Sequence, residues 1–488
     1  MAQDEAQIKR FLASAAQAAK GILETVEKDG FIHVFSHLDA DGVAAASVIG
    51  KALSKLNARF RLRVTQWVDE KIIGEIIADK PQLVIFADFG SSYLELLNEK
   101  IPSFKVIILD HHQVNGDIEN ENIIQVNPHL YGINGATEVS GSGVAYFVVR
   151  EIDEENVDLA PIALVGALGD MQDKNEQRKL HGLNALIVED AVAAKLVIVE
   201  KDLTFFGRET RAIHRALASA TTPFIPGLSG EEDKCLAFLS SLDIKLKDND
   251  KWRALRDLRV EEKRKLSSAL ADHLIARGLH ADVESLIGNI YVLNHEEPWT
   301  PLRDAREFAL VLNSTGRLDR PSLGIAIGMG DRDAALEEAN RVLEDYRKSI
   351  SSYLSWVKEK PERMKELDHV YVIYGDTFIN EKIIGTISSI LVSGLSNPEK
   401  PLLAFAKIEE ENVAKFSART TALALSKGIN LGEIMRIASE KYGGEGGGHN
   451  VAAGAQVPID QIESFVATVN SFVEKQLKGE DLGSNDNN

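Results

Sequence analysis

Four apolar runs in this 488-residue chain end on side chains able to hold a metal ion. The run at 106–109 leads into Asp110-His111-His112, and the run at 83–87 into Asp88. The run at 31–36 leads into His37-Leu38-Asp39-Ala40-Asp41-Gly42, and the run at 162–169 into Asp170. Short β-branched and aromatic runs predict buried strands for the first three; the fourth reads better as a helix. Alternation along an extended chain sends His37, Asp39 and Asp41 to one side. Gly42 lets the backbone turn sharply into an Ala-rich helix. In open α/β sheets the carboxyl ends of strands face the crevice where ligands bind. Carboxylates mixed with imidazoles suit hard or borderline divalent ions such as Mn²⁺ or Mg²⁺ rather than a thiolate metal. Without a cation these acids would repel one another.

The elements that position these residues alternate. An amphipathic helix over 4–28 covers the sheet with Ile8, Phe11, Leu12, Ala15, Ile22, Leu23 and Val26. A helix over 43–55, a strand near 60–64 and a short strand at 123–126 complete a parallel sheet with helices on both faces. Ser140-Gly141-Ser142-Gly143 opens another helix, where small residues serve either a phosphate at the free N–H groups or close packing. Asp173 reads as a capping or solvated residue beyond the site. Arg208, Arg211, His214 and Arg215 place cations on a predicted helix, and both a phosphate contact and a plain surface role are open. Pro223, Pro226 and Gly227 to Gly230 read as a linker. The stretch that follows is charged and mostly helical; it could shape a substrate path or dock a partner. A helix over 332–359 precedes a last domain of strands near 369–374, 402–406 and 412–417. In Gly443-Gly444-Glu445-Gly446-Gly447-Gly448-His449, five glycines around one Glu predict a loop free to wrap an anion.

Composition narrows the class. Hydrophobic residues make up 44%, enough for two to four ordinary globular cores. No apolar run reaches the roughly 18–20 residues that span a bilayer, so no membrane partner is expected. The opening Met-Ala-Gln-Asp-Glu does not read as a signal peptide. The single cysteine, Cys235, excludes an internal disulfide and a Cys-based zinc site, and a cytoplasmic location is expected. A net charge of −19 argues against nucleic-acid binding over the whole surface and leaves room for a local, salt-sensitive groove.

The ordered set His37-Leu38-Asp39-Ala40-Asp41-Gly42, Asp88, Asp110-His111-His112, Gly169-Asp170, Asn313-Ser314-Thr315-Gly316-Arg317, Ser417-Ala418-Arg419 and Gly446-Gly447-Gly448-His449 resembles the DHH phosphoesterase superfamily. It is most similar to the RecJ-type exonucleases, especially the archaeal RecJ-like group. Ser-Thr inside Asn313–Arg317 is a mild departure from the small pair usual there. The resemblance implies two divalent ions. His37 and Asp39 would hold one, and Asp41, His111 and Asp170 the other, with Asp88 bridging. Asp110 would orient a ligating imidazole, and His112 would face the scissile phosphate. Asn313, Arg317, Ser417, Arg419, Gly446, Gly447, Gly448 and His449 would grip substrate, and a cleft between two domains would admit one strand. The implied α/β architecture is a catalytic DHH domain over 1–225, a charged helical insertion over 226–300 and the Asn-x-x-Gly-Arg segment with a connector helix over 301–365. A smaller α/β DHH-associated domain over 366–478 and a disordered tail over 479–488 complete it. The implied activity is metal-dependent exonuclease action on single-stranded DNA or RNA in replication and repair. A structural replication factor bound to the GINS complex and a short-oligonucleotide phosphodiesterase are the other readings.

Overall fold

In a computed structural model, residues 2–482 are described apart from 115, 117–119, 176 and 221–222. The chain forms two compact units, Met1–Leu343 and Glu344–Asn488.

The first unit is built on five parallel strands: β1 (Phe31–His37), β2 (Arg59–Thr65), β3 (Leu83–Ala87), β4 (Val106–Leu109) and β5 (Ile123–Val126). Their order is β2-β1-β3-β4-β5. β3 and β4 are buried at every residue, as an all-parallel sheet requires. Alternate side chains serve two cores. Ile85, Ile107 and Leu109 pack with helices α1 (Ala2–Glu27) and α2 (Ala40–Lys55). Val84, Phe86, Val106 and Ile108 pack with α3 (Glu70–Asp79) and α4 (Leu94–Lys100). Helices α5 (Gly141–Ile152) and α6 (Ala160–Gly169) join the first of these cores. Strand order reverses between β1 and β3, and in doubly wound sheets that point opens the ligand crevice. The expected α/β class holds.

The chain leaves this unit's core along Val197–Leu203 and returns along Ile287–Leu293, two antiparallel strands that pair over their whole length. Between them lies a separate core running from Leu203 to Leu286. Ile225 and Leu228 are buried in it, so the Pro/Gly stretch near 223–230 is packed structure rather than a linker. Packing therefore starts this segment near 203, ahead of the 226 read from sequence. The helix Ala305–Arg317 then packs back on α2 and α6, burying Phe308, Val311 and Leu312.

A 26-residue helix, Ala334–Glu359, carries the chain into the second unit. That unit is a six-stranded mixed sheet whose core includes Leu403, Phe405, Phe416, Ala418, Ala453 and Ala455. Helices Leu431–Lys441 and Ile462–Lys478 cover that face. The glycine run is not a loop. Glu445–Gly448 is an edge strand paired antiparallel to Ala452–Pro458. A Cβ on Gly446 would meet the Met435 carbonyl at 2.6 Å, so the helix packs too close for any larger residue. At the end of the chain, Gly479 caps the last helix in a left-handed conformation and Leu482 is buried, which overrides disorder for 479–482. Residues 483–488 lie outside the described residues. Among the described residues no helix is long and apolar enough to cross a membrane.

Candidate metal centre

Every strand and helix end singled out above meets at the carboxyl edge of the first sheet. β1 delivers His37, and the turn after it delivers Asp39, whose carboxylate caps α2 by accepting from the Gly42 N–H at 3.1 Å. A Cβ on Gly42 would stand 2.2 Å from the His37 carbonyl, so only glycine permits this turn. β3 delivers Asp88, held at φ 65°. The left-handed region is uncommon for a residue with a side chain, and such strain collects at functional sites. β4 delivers Asp110, His111 and His112, and α6 delivers Asp170 at its C-cap.

The groups sort into two clusters sharing one carboxylate. His37 Nδ1 lies 3.0 Å from Asp39 Oδ2 and 3.7 Å from Asp88 Oδ2. His111 Nε2 lies 3.2 Å from Asp88 Oδ1, 3.2 Å from Asp170 Oδ2 and 3.8 Å from Asp41 Oδ2. The two oxygens of Asp88 thus face different clusters. Among the described residues, His37 Nδ1, Asp88 Oδ1 and His111 Nε2 are buried and have no hydrogen-bond partner. Buried lone pairs left over on an imidazole and a carboxylate fit a divalent cation, which would satisfy them together.

The electrostatics agree. Burial, then the charges of Asp41 and Asp39, hold the Asp88 carboxyl well above the ordinary carboxylate range. Burial and Asp170 raise Asp41 in the same way. Burial alone would lower His111, but the carboxylates of Asp170 and Asp88 beside it outweigh that and hold the imidazole well above its usual value. Burial also works against Asp39, yet the charge of His37, the Arg317 guanidinium and the Gly42 N–H keep it below the carboxylate range. A bound cation would replace the protons that Asp41, Asp88 and His111 retain without it.

Several partners had no signature in the sequence. Asp110 was expected to orient a ligating imidazole. It accepts from His112 Nδ1 at 2.8 Å, from the backbone N–H groups of His111 and His112, and from the Ser91 N–H at 2.9 Å, and His112 forms a third candidate metal group with Asp88 and His111. The ring it orients is His112. His111 is set by a backbone carbonyl: its Nδ1 donates to Gly135 at 2.7 Å, which turns Nε2 into the cluster. Gln172 donates to the same carbonyl at 2.9 Å and is itself held by Asn184. The small residues at the start of α5 serve no external phosphate. Their N–H groups bind Asp41: Gly141 donates to Oδ2 at 2.6 Å and Ser142 to Oδ1 at 3.1 Å. The anion at this helix N-terminus is the protein's own carboxylate.

Asp173 is neither solvated nor a ligand here; it is buried and paired with Arg306. Arg208 is not open to a phosphate either. It is buried, in a turn rather than the expected helix, and paired with Asp202 at 2.6 Å. Asn313 and Arg317 lie on the last turns of Ala305–Arg317, with Arg317 Nε donating to Asn313 Oδ1 at 3.4 Å. Gly316 passes under the β1 turn: a Cβ there would be 1.7 Å from the Leu38 carbonyl. The remaining predicted residues belong to the second unit. Ser417 and Arg419 alternate with the buried Phe416 and Ala418 on one strand and so occupy the opposite face of that sheet. Ser417 Oγ lies 3.0 Å from Ser388 Oγ, and Arg419 Nε donates to Ser389 Oγ at 2.8 Å. His449 follows the Glu445–Gly448 edge strand.

Fold and site together define a doubly wound α/β protein with a carboxylate–imidazole centre at the switch point of its sheet. The DHH family, N-terminal domain, matches residues 31–169; the DHH-CID domain matches 205–287 and the DHHA1 domain 369–475. An uncharacterized protein of Methanocaldococcus jannaschii, MJ0831, is 34% identical over 92% of this chain and 94% of its own. The crystal structure of RecJ from Thermus thermophilus in complex with Mn²⁺ aligns with a TM-score of 0.58 at 16% identity, over 95% of this chain. The chain spans 55% of that RecJ. CDC45 from Entamoeba histolytica aligns with a TM-score of 0.65 at 9% identity, over 95% of this chain and 99% of that one. The chain belongs to the DHH phosphoesterase superfamily and is a RecJ-like member of it.

Proposed function

We propose that this protein is a two-metal exonuclease acting on single-stranded DNA or RNA. The observation that carries the reading is Asp88, whose two oxygens face two separate ligand clusters. Two divalent ions, both Mn²⁺ in preference to Mg²⁺, would supply a hydroxide nucleophile and neutralise the charge gathering on a phosphodiester. His37, Asp39 and Asp88 would hold the first; Asp41, His111, Asp170 and Asp88 would hold the second. The Gly135 carbonyl and the α5 amides keep His111 and Asp41 aimed. Asp110 fixes the His112 ring through its Nδ1, and His112 would face the scissile phosphate. Arg317 offers a guanidinium to a phosphate oxygen beside Asp39, with Asn313 steadying it. Ser417, Arg419, Gly446, Gly447, Gly448 and His449 grip the strand from the second unit. The Mn²⁺ held in the Thermus thermophilus RecJ complex supports the choice of metal.

The similarity to CDC45 favours a second reading, a structural replication factor in contact with the GINS complex. One assay separates them. Single-stranded DNA and RNA carrying 5′ or 3′ labels are incubated with Mn²⁺, with and without chelator. Stepwise shortening that chelation stops is expected. Intact strands at every metal concentration would overturn the exonuclease reading.

A further inference from the structure

The segment 203–287 meets the helix that reaches the metal centre at a buried carboxylate. Glu307 sits in the first turn of Ala305–Arg317 and is 1% exposed. Its Oε1 accepts the Glu209 N–H at 2.6 Å, and its Oε2 accepts the Thr210 hydroxyl. Glu209 is itself buried and held by Arg256, with Arg208 3.4 Å away, and Arg208 is locked to Asp202. Asp202 also pairs with Lys263 at 2.5 Å. Trp299 completes the joint from outside: its backbone N–H donates to Glu209 and its indole N–H to Asp257. The helix rises about 1.5 Å per residue, so its far end lies roughly 15 Å from Glu307. There Gly316 presses under the Leu38 carbonyl and Arg317 acts on Asp39. Between the ends Phe308, Val311 and Leu312 are fully packed, so the helix transmits a shift rather than absorbing it.

We infer that this segment is a brace for the active site: Glu307, held by Glu209 and Thr210, fixes the helix whose last residues place Gly316 against the Leu38–Asp39 turn and Arg317 against substrate phosphate. Glu307 is a positioning residue. The effect on substrate rests on the nuclease reading; the brace itself does not.

Full-length Glu307→Ala, Thr210→Val, Arg317→Ala and the Glu307→Ala/Arg317→Ala double variant test this, with Glu307→Gln as the shape-preserving control. Amide hydrogen exchange over residues 36–43 reads the brace without substrate. Glu307→Ala and Thr210→Val should speed exchange there, and Glu307→Gln should do so less. Unchanged protection over 36–43, with loosening confined to 305–310, would overturn the brace. The KM for a single-stranded oligonucleotide with Mn²⁺ then reads the consequence. Sites this far apart ordinarily add to within about two-fold. Glu307→Ala should raise KM by about three-fold or more in the native background and change nothing once Arg317 is gone, the non-additivity of coupled sites. Equal effects in both backgrounds would mean that Glu307 does not act through Arg317. If native protein neither binds nor cuts nucleic acid, the nuclease reading fails while the exchange result still decides the brace.

Discussion

Asp88 is the residue on which both ligand clusters depend. Asp88→Ala removes a contact from each, so it should abolish Mn²⁺-dependent hydrolysis more completely than any other single ligand change. Side-by-side kcat values for Ala variants at 37, 39, 41, 88, 111 and 170 check this, and full activity in Asp88→Ala would end the two-metal assignment. Protonation gives a second expectation. The raised carboxyls of Asp41 and Asp88 and the raised imidazole of His111 favour the metal-free fold at low pH. That contribution is lost as pH climbs through the raised values. Mn²⁺ takes the place of those protons, so its stabilisation should grow with pH. Melting curves with Mn²⁺ and with chelator should show a larger Tm gain at pH 8 than at pH 6; a gain that shrinks with pH would contradict it. Asp39 and Asp110 run the other way. Their stability is present above the ordinary carboxylate range and lost in acid below it.

At the scale of elements, what the sequence made legible was where strands end. β3 and β4 are unbroken apolar runs, and each stops on a polar residue that must face the sheet's open edge. Partners made of backbone atoms were not legible. The Gly135 carbonyl on His111 and the Gly141 N–H on Asp41 lie 24 and 100 positions from the residues they serve. A carbonyl or an amide is the same in every residue, so nothing in the residue type announces it. The glycines at 446–448 carry a mixed signal for a related reason: small residues signal close approach, and at 446 what approaches is a helix, whereas a Cβ on Gly447 would meet nothing within 4 Å. Gly141 tests this directly. A Cβ there would stand 2.3 Å from Asp88 Oδ1, so Gly141→Ala must push the α5 start and Asp88 apart. Such overpacking costs about 1–3 kcal/mol. Urea unfolding should show a loss in that range, with Mn²⁺ affinity falling as well. Unchanged Mn²⁺ affinity would mean that α5 does not set the site.

For the whole molecule, catalysis and grip are assigned to separate units, each with its own core. Arg419→Ala should weaken binding of single-stranded nucleic acid by roughly 1.5–3 kcal/mol, the range for a hydrogen bond to a charged group. It should leave Mn²⁺ binding intact, since every candidate ligand lies before Leu343. Anisotropy with a labelled oligonucleotide and calorimetry with Mn²⁺ on one preparation check both halves, and loss of metal binding would refute the division. With a net charge of −19 the surface at large repels such a strand, so binding should be confined to the grip residues and fall steeply with salt.

The left-handed backbone at Asp88 also limits how this centre can be disarmed. A β-branched or bulky replacement meets a steric penalty before any chemistry is lost, whereas Asn tolerates that conformation nearly as well as Asp. Asp88→Asn also removes a buried carboxyl that must keep its proton beside Asp41 and Asp39, so at alkaline pH without metal, where holding that proton costs most, the variant should melt higher than the native chain. Activity and stability are opposed at this position. A single substitution can convert the enzyme into a sturdier body with the same outer surface.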